Sequence, residues 1–321
     1  MKPTVYLTRL LPDEILNKLD MNTTLRYFPE SERAVPRGEL LEAVRGVEGI
    51  LSMITDQIDA EVLDAAGSQL KVVANMGVGY DNVVLEAAKE RGVMVTNTPD
   101  VLNETTADLT FALMLATARR LVESELFLRE GNWKVWSPMD LTGQDVFGAT
   151  LGIIGMGRIG EAIVKRAIGF DMKVVYHNRS RRPEVEAKYG CTYHSMDEVL
   201  QAADFVLVMT PLTNETRGLI GARELSLMKP TAIFINTSRG PVVDEEALYQ
   251  ALLQRQIWAA GLDVFAQEPI APNHPLLTLD NVVLLPHIGS ASIKTRMRMA
   301  HLAADNLIAA VTEGQPPTRV V

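Results

Sequence analysis

Three residues with the means to do chemistry stand just past short apolar runs: Arg239 in "AIFINTSRG", Glu268 in "GLDVFAQEP" and His287 in "VVLLPHIGS". A guanidinium, a carboxylate and an imidazole supply an anion clamp, a partner that orients the ring, and a proton donor that works near neutral pH. Singly, each has a plainer reading: a surface charge, a loop carboxylate before a proline, a histidine packed on a turn. As a set at the ends of neighbouring strands they are what reduction of a 2-keto acid requires. The arginine fork can hold the acid's carboxylate and polarise its carbonyl. The histidine can protonate the alkoxide that forms as hydride reaches C2, and a carboxylate beside the ring favours its charged form and fixes its orientation.

Such a reaction needs a hydride carrier, and "LGIIGMGRIGEAIVKRA" places Gly155, Gly157 and Gly160 in the G-x-G-x-x-G spacing between a strand and a helix. These glycines allow a tight turn, close approach of backbone to a pyrophosphate, and close helix–strand contact, with the helix N-terminus facing the phosphates. About 20 residues beyond, an acid ordinarily grips the free ribose hydroxyls of NAD. Here "VVYHNRSRR" offers His177, Asn178, Arg179, Ser180, Arg181 and Arg182 and no acid. Arginines there would pair with a 2′-phosphate that an aspartate would repel, which predicts NADP(H) as the preferred cofactor, with NAD(H) possible. Arg179, nearest the strand end, is the leading phosphate ligand, while Arg181 and Arg182 have a second reading as solvated charges in a βα loop.

Ligands of open α/β sheets lie beyond the carboxyl ends of the strands, so the chain must build parallel sheets to bring these residues together. It reads that way. "TVYL", "TLRYF", "GILSM", "KVVANM" and "VMVTN" form a first set of strands, with helical patterns between most of them. A second, more apolar set runs "TLGIIG", "KVVYH", "FVLVMT", "AIFINT", "AAGLDVF" and "VVLLPH", as buried parallel strands should. Between the sets lies one long helix, from about Asn103 to Phe127, and a connector rich in Gly and Trp. After His287 a further helix, "SIKTRMRMAHLAADNLIAAVTEG", is too short to be a domain and is expected to cross back onto the first set. The first domain is thereby discontinuous, with a cleft between two lobes.

The 321 residues suit two domains, and 47% apolar with 22% charged residues is the composition of a globular protein. No run of roughly 18 uncharged apolar residues is present to span a bilayer, and the N-terminus reads as a first strand rather than a leader, so a cytoplasmic location without membrane contact is expected. A net charge of −9 argues against binding nucleic acid. The single cysteine, Cys191, has no internal disulfide partner, and no Cys/His spacing suggests a metal.

The "GMGRIG" loop, "NTSRGPVVDEEAL", "GLDVFAQEP", "LLPHIGSAS" and "MGVGYDNV" resemble, nearly end to end, the D-isomer-specific 2-hydroxyacid dehydrogenase family. Within it they look most like the glyoxylate/hydroxypyruvate reductase and 2-ketogluconate reductase branch. The resemblance implies a Rossmann-type cofactor domain over residues 100–287 and a flavodoxin-like substrate domain over 1–99 and 288–321. It implies hydride transfer to C2 of a small 2-keto acid, giving a D-2-hydroxy acid, with His287 as proton donor. By the same likeness, the backbone N–H groups of Val78 and Gly79 would bind the substrate carboxylate. Asp263 would orient the nicotinamide carboxamide, and Thr106, Arg158, Ile159, Thr210, Pro211, Thr237, Ser238 and Gly289 would contact cofactor. Leu51, Ser52 and Met53 would line the substrate site and leave room for a small polar acid.

A homodimer is also implied, and Trp133 and Trp136 either reach a partner's site or anchor the connector. Phosphite dehydrogenase and D-lactate dehydrogenase activities are alternatives within the family; a nicotinamide-sensing regulatory protein is a remote one. Formate dehydrogenases carry glutamine where this chain has Glu268.

Overall fold

Every run read as a strand forms one, and all pairings between strands are parallel. The computed structural model describes residues 2–321. The chain divides into two units, one made of the segment up to Leu102 with Ser292–Val321, the other of Asn103–Ala291.

The first unit holds β1 (Thr4–Leu7), β2 (Thr24–Tyr27), β3 (Gly49–Met53), β4 (Val72–Met76) and β5 (Met94–Thr96) in the order β2-β1-β3-β4-β5. That is the flavodoxin-like order. The inner strand β4 is buried at every position, whereas β2 at the edge is largely exposed. The C-terminal helix Ile293–Thr312 packs on β3 and β4 through a buried face that includes Met299, Ala303, Leu307 and Val311. A Cβ on Gly49 would come within 2.6 Å of Leu307 Cδ1, so a glycine there lets the helix sit close to the sheet. Beyond the helix the tail turns back and Val320 N donates to Val95 O at 2.7 Å, extending the sheet at β5.

The second unit holds β6 (Thr150–Ile154), β7 (Lys173–His177), β8 (Thr192–Tyr193), β9 (Phe205–Val208), β10 (Ile233–Asn236), β11 (Ala259–Leu262) and β12 (Val282–Leu284), ordered β12-β11-β10-β9-β6-β7-β8. This is the Rossmann order extended by one strand. The two-residue β8 was too short to register in the sequence. Alternation along the strands splits the core into two layers. Leu151, Ile153, Phe205, Leu207, Ile233 and Ile235 pack under the helices Asn103–Ala118 and Arg158–Ala167. Ile154, Val206, Val208, Phe234 and Leu262 pack on the other face with Val199, Leu225 and Leu248.

The long helix of the sequence reading is two helices, Asn103–Ala118 and Leu121–Arg129, separated by Arg120 in a left-handed conformation (φ +51°). No local breaker does this. Gln144 N donates to Ala118 O at 2.9 Å, and a Cβ on Gly143 would lie 2.0 Å from that same oxygen. A distant segment thus takes over the helix end, and the second helix buries none of its residues within this chain. Among the described residues, no helix is long and apolar enough to cross a membrane, and no group of three His, Cys, Asp or Glu is placed to hold a metal ion.

Candidate active site

The glycine loop lies where the strand order of the second unit reverses, between β6 and β9. Gly155 has φ +104°, and a Cβ on it would meet the Met209 carbonyl carbon at 2.7 Å and Thr210 N at 2.9 Å. The loops after β6 and β9 are therefore in backbone contact. Gly160 faces Gly155 O at 2.9 Å from its virtual Cβ, but Gly157 faces open space, with nothing within 4 Å. Helix Arg158–Ala167 starts beside that space without a side-chain cap on its first turn. Its N–H groups at Arg158 and Ile159 therefore lie where an anion is favoured.

The Thr210 hydroxyl is buried without a protein partner, and the adjacent Pro211 is exposed. A bare glycine cradle, an uncapped helix start and an orphaned hydroxyl fit a dinucleotide.

At the end of β7 the expected ribose region is free of acids, but its arginines are not equivalent. Arg181 is held by Glu186, with bonds of 2.8 and 2.6 Å. Arg181 and then the Tyr176 hydroxyl hold the Glu186 carboxyl down to about 2. Arg182 pairs with Glu184 and donates to Met156 O at 3.0 Å, which braces the glycine loop from outside. Arg179 is exposed and makes no hydrogen bond among the described residues; its positive charge helps lower the carboxyl of Glu215. Ser180 is exposed too, and its carbonyl accepts from Asn178 Nδ2 at 3.0 Å. His177 turns away, its Nδ1 lying 3.0 Å from His194 O.

Arg239, Glu268 and His287 follow β10, β11 and β12, which are consecutive in the sheet. Glu268 Oε2 lies 2.6 Å from His287 Nδ1, and its Oε1 accepts from Phe265 N at 3.0 Å. Burial pushes the Glu268 carboxyl up, but the His287 bond and charge, the Phe265 N–H and the Arg239 charge together hold it below its ordinary value. An ionised carboxylate only accepts, so Nδ1 carries the hydrogen of this bond and Nε2 is left to exchange a proton. His287 has φ +54°, a conformation that side-chain-bearing residues seldom adopt.

Asp263 fixes that turn: its two oxygens accept from Ile288 N and Gly289 N, both at 2.8 Å. It is 1% exposed, and burial raises its carboxyl despite these bonds. Gly289 keeps the turn close, since a Cβ would lie 3.3 Å from Asp263 Oδ2 and 3.4 Å from Thr106 Cγ2.

The Arg239 loop is fastened to the Glu268 loop at Gly240, where a Cβ would overlap the Phe265 carbonyl at 1.9 Å. Asn236, 1% exposed, organises the same loop. Its Oδ1 accepts from Ser238 N and Oγ at 3.0 and 2.9 Å, and its Nδ2 donates to Arg239 O at 3.0 Å. Arg239 Nη1 donates to Ser238 O at 2.8 Å. Thr237 is tied to Thr110 at 2.7 Å, and Thr110 in turn to Thr106 O at 2.7 Å. Sequence reading passed over Asn236 and Thr110. The signal for Asn236 was an asparagine closing an apolar strand just before a turn; for Thr110, inside a helix, there was none.

The remaining residues belong to the first unit. Leu51 and Ser52 lie in β3 itself, fully buried, and only Met53 at the strand end is partly exposed. Ser52 Oγ donates to Asn75 Oδ1 at 3.3 Å. Asp56 accepts from Met53 N at 2.8 Å and from the Thr8 hydroxyl, and burial raises its carboxyl. Val78 and Gly79 form a partly exposed turn after β4.

Residues 111–289 match the family model described as D-isomer specific 2-hydroxyacid dehydrogenase, NAD binding domain. A glyoxylate reductase of Thermococcus gammatolerans is 49% identical over 324 residues, covering 100% of this chain and 96% of that one. One from Korarchaeum cryptofilum is 49% identical over 321 residues with the same coverage. A crystal structure of a Thermus thermophilus protein superposes with a TM-score of 0.91 at 48% identity, covering 99% of this chain and 100% of that one. The NADPH-dependent glyoxylate/hydroxypyruvate reductase of Sinorhizobium meliloti, crystallised with NADP and malonate, gives 0.86 at 36%, covering 100% and 97%. With likeness of this extent over the whole length, the chain belongs to the D-isomer specific 2-hydroxyacid dehydrogenases and is an NAD(P)-dependent enzyme of that family.

Proposed function

We propose that this enzyme reduces small 2-keto acids, glyoxylate and hydroxypyruvate first among them and 2-ketogluconate as a larger case, to D-2-hydroxy acids, with NADPH preferred and NADH accepted. The Glu268–His287 pair, 2.6 Å apart with Nε2 left available, is the observation that carries this reading. A bound nicotinamide supplies the hydride. Arg239 is assigned to clamp the substrate and draw electron density from its carbonyl; in the first unit, the N–H groups of Val78 and Gly79 are assigned to carboxylate binding. As the C2 oxygen gains charge, His287 donates its Nε2 proton to it, while Glu268 keeps the ring oriented and offsets the positive charge on it.

Asp263 holds the 287–289 turn, and each of its oxygens retains a lone pair suited to a carboxamide N–H. Thr106, Thr210, Pro211, Thr237, Ser238 and Gly289 are assigned to the cofactor, as are Gly155, Gly157, Arg158, Ile159 and Gly160 around its pyrophosphate. Arg179, with Asn178, Ser180 and Arg182 beside it, is assigned the 2′-phosphate. The engagement of Arg181 and Arg182 by Glu186 and Glu184 favours tolerance of NADH, because a single free arginine is a modest selector. Residues 1–99 and 288–321 are assigned to substrate binding and 100–287 to the cofactor. Leu51, Ser52 and Met53 are assigned to the substrate site, with Met53 the one that can touch a ligand.

A second copy of the chain is the proposed cover for the exposed Leu121, Val122, Leu126 and Leu128, and for Trp133 and Trp136, which makes the enzyme a homodimer. Initial rates with NADPH and NADH against glyoxylate, hydroxypyruvate, pyruvate and 2-ketogluconate test the assignment. Turnover highest with NADPH and a two- or three-carbon keto acid is expected. Turnover of none of them, or a clear preference for NADH, would defeat the corresponding part.

A further inference from the structure

We propose that Asn97 is a positioning residue for the substrate carboxylate, acting through the Val78–Gly79 peptide; this rests on the assignment of that peptide to carboxylate binding made above. The turn after β4 is fixed from its carbonyl side. Gly77 O accepts from Thr98 N at 2.8 Å, Val78 O from Asn97 Nδ2 at 2.9 Å, and Gly79 O from Asn75 Nδ2 at 2.9 Å. In a planar trans peptide the carbonyl and the next N–H point in opposite directions. Tying the Gly77 and Val78 carbonyls to Asn97 and Thr98 therefore turns the N–H groups of Val78 and Gly79 to the other side. There, among the described residues, neither donates to a protein acceptor. Two adjacent N–H groups with a common outlook make a concave anion site.

Asn97 is itself locked in place. Its carbonyl accepts from Thr318 Oγ1 at 2.6 Å and from Asn306 Nδ2 at 3.1 Å. Asn306, fully buried on the C-terminal helix, also accepts from Thr318 N at 2.9 Å. The tail of the chain thus fixes the amide that fixes the peptide. Donors held this way are oriented before the ligand arrives, so binding does not have to order them. Thr98 supplies its bond from the backbone and cannot be varied there. The Asn97 side chain is the one replaceable support of the Gly79 N–H.

The test compares wild type, Asn97→Ala and Asn97→Asp. The aspartate keeps the size but sets a second acceptor against Val78 O. The readouts are KM and kcat for glyoxylate, the Kd of oxalate on the cofactor-bound enzyme, and the Kd of NADPH by fluorescence titration. Loss of one charge-assisted N–H bond should raise KM and the oxalate Kd roughly tenfold or more. The same change should leave kcat within about threefold, because a bond made equally to substrate and transition state affects KM alone. NADPH affinity should not change.

Should either variant fail to fold, Thr318→Ala, which loosens Asn97 without touching the turn, should move the same two constants in the same direction by a smaller factor. Wild-type oxalate affinity in the Asn97 variants would overturn the proposal, as would parallel loss of kcat and NADPH affinity. A wild-type enzyme that binds neither oxalate nor glyoxylate would overturn the carboxylate assignment and this proposal with it.

Discussion

Glu268 and His287 make a pair whose behaviour with pH follows from its geometry. In Glu268→Gln the ring loses the carboxylate that orients it and offsets the charge passing through it, so kcat for keto-acid reduction should fall by roughly 10²-fold or more. An undiminished kcat would contradict the pairing. Stability carries a second signature. The Glu268 carboxyl is lower in the folded state than its ordinary 4.5. The stability it contributes is therefore fully present above that ordinary value and is lost as pH falls through the depressed one. Melting curves recorded from pH 7 towards pH 3 should show the wild-type advantage over Glu268→Gln shrinking in acid. The proposed selection of cofactor is open to test at single residues. Arg179→Asp should weaken NADPH binding about tenfold or more and NADH binding far less, whereas Arg181→Gln should alter both little, because Glu186 already occupies Arg181.

Between elements, glycines decide what approaches what. Gly240→Ala would drive a methyl into the Phe265 carbonyl and push the Arg239 loop off the Glu268 loop. A cost of about 3 kcal/mol and loss of most activity are expected, read by denaturant unfolding and initial rates. Gly157→Ala meets open space, so stability should stay within about 0.5 kcal/mol while NADPH affinity falls; equal stability and equal affinity would remove the phosphates from that space.

These elements also show how far the sequence could be read. Strands were legible because β-branched apolar runs buried on both faces have few other uses. That Arg239, Glu268 and His287 stand past the ends of neighbouring strands was legible because polar residues after such runs need a reason. The break at Arg119–Arg120 was not, since Gly143 and Gln144 impose it from more than twenty residues away. Nor were the buried amides Asn75, Asn97 and Asn236, whose meaning lies in carbonyls supplied by other loops. The "NRSRR" stretch was half legible: the absence of an acid was visible, but the capture of Arg181 and Arg182 by glutamates five and two residues further on, respectively, was not.

At the scale of the whole molecule, the helix Leu121–Arg129 buries nothing of its own, and Trp133, Val135, Trp136 and Met139 follow it into solvent. A second copy of the chain is the proposed cover for these exposed apolar side chains. Sedimentation should give twice the 35.3 kDa chain mass, and Leu126→Glu with Leu128→Glu should shift it towards the monomer; a monomeric wild type would refute the assignment.

The enzyme is proposed to move a hydride from the nicotinamide to C2 of a small 2-keto acid, with His287 supplying the proton. The most direct measurement uses NADPH deuterated at the transferring C4 position with hydroxypyruvate, and reads the product by NMR and chiral chromatography. D-glycerate with one deuterium at C2 is expected, formed by wild type and lost with His287→Ala. Unlabelled or L-configured glycerate, or an undiminished rate in the His287 variant, would contradict it.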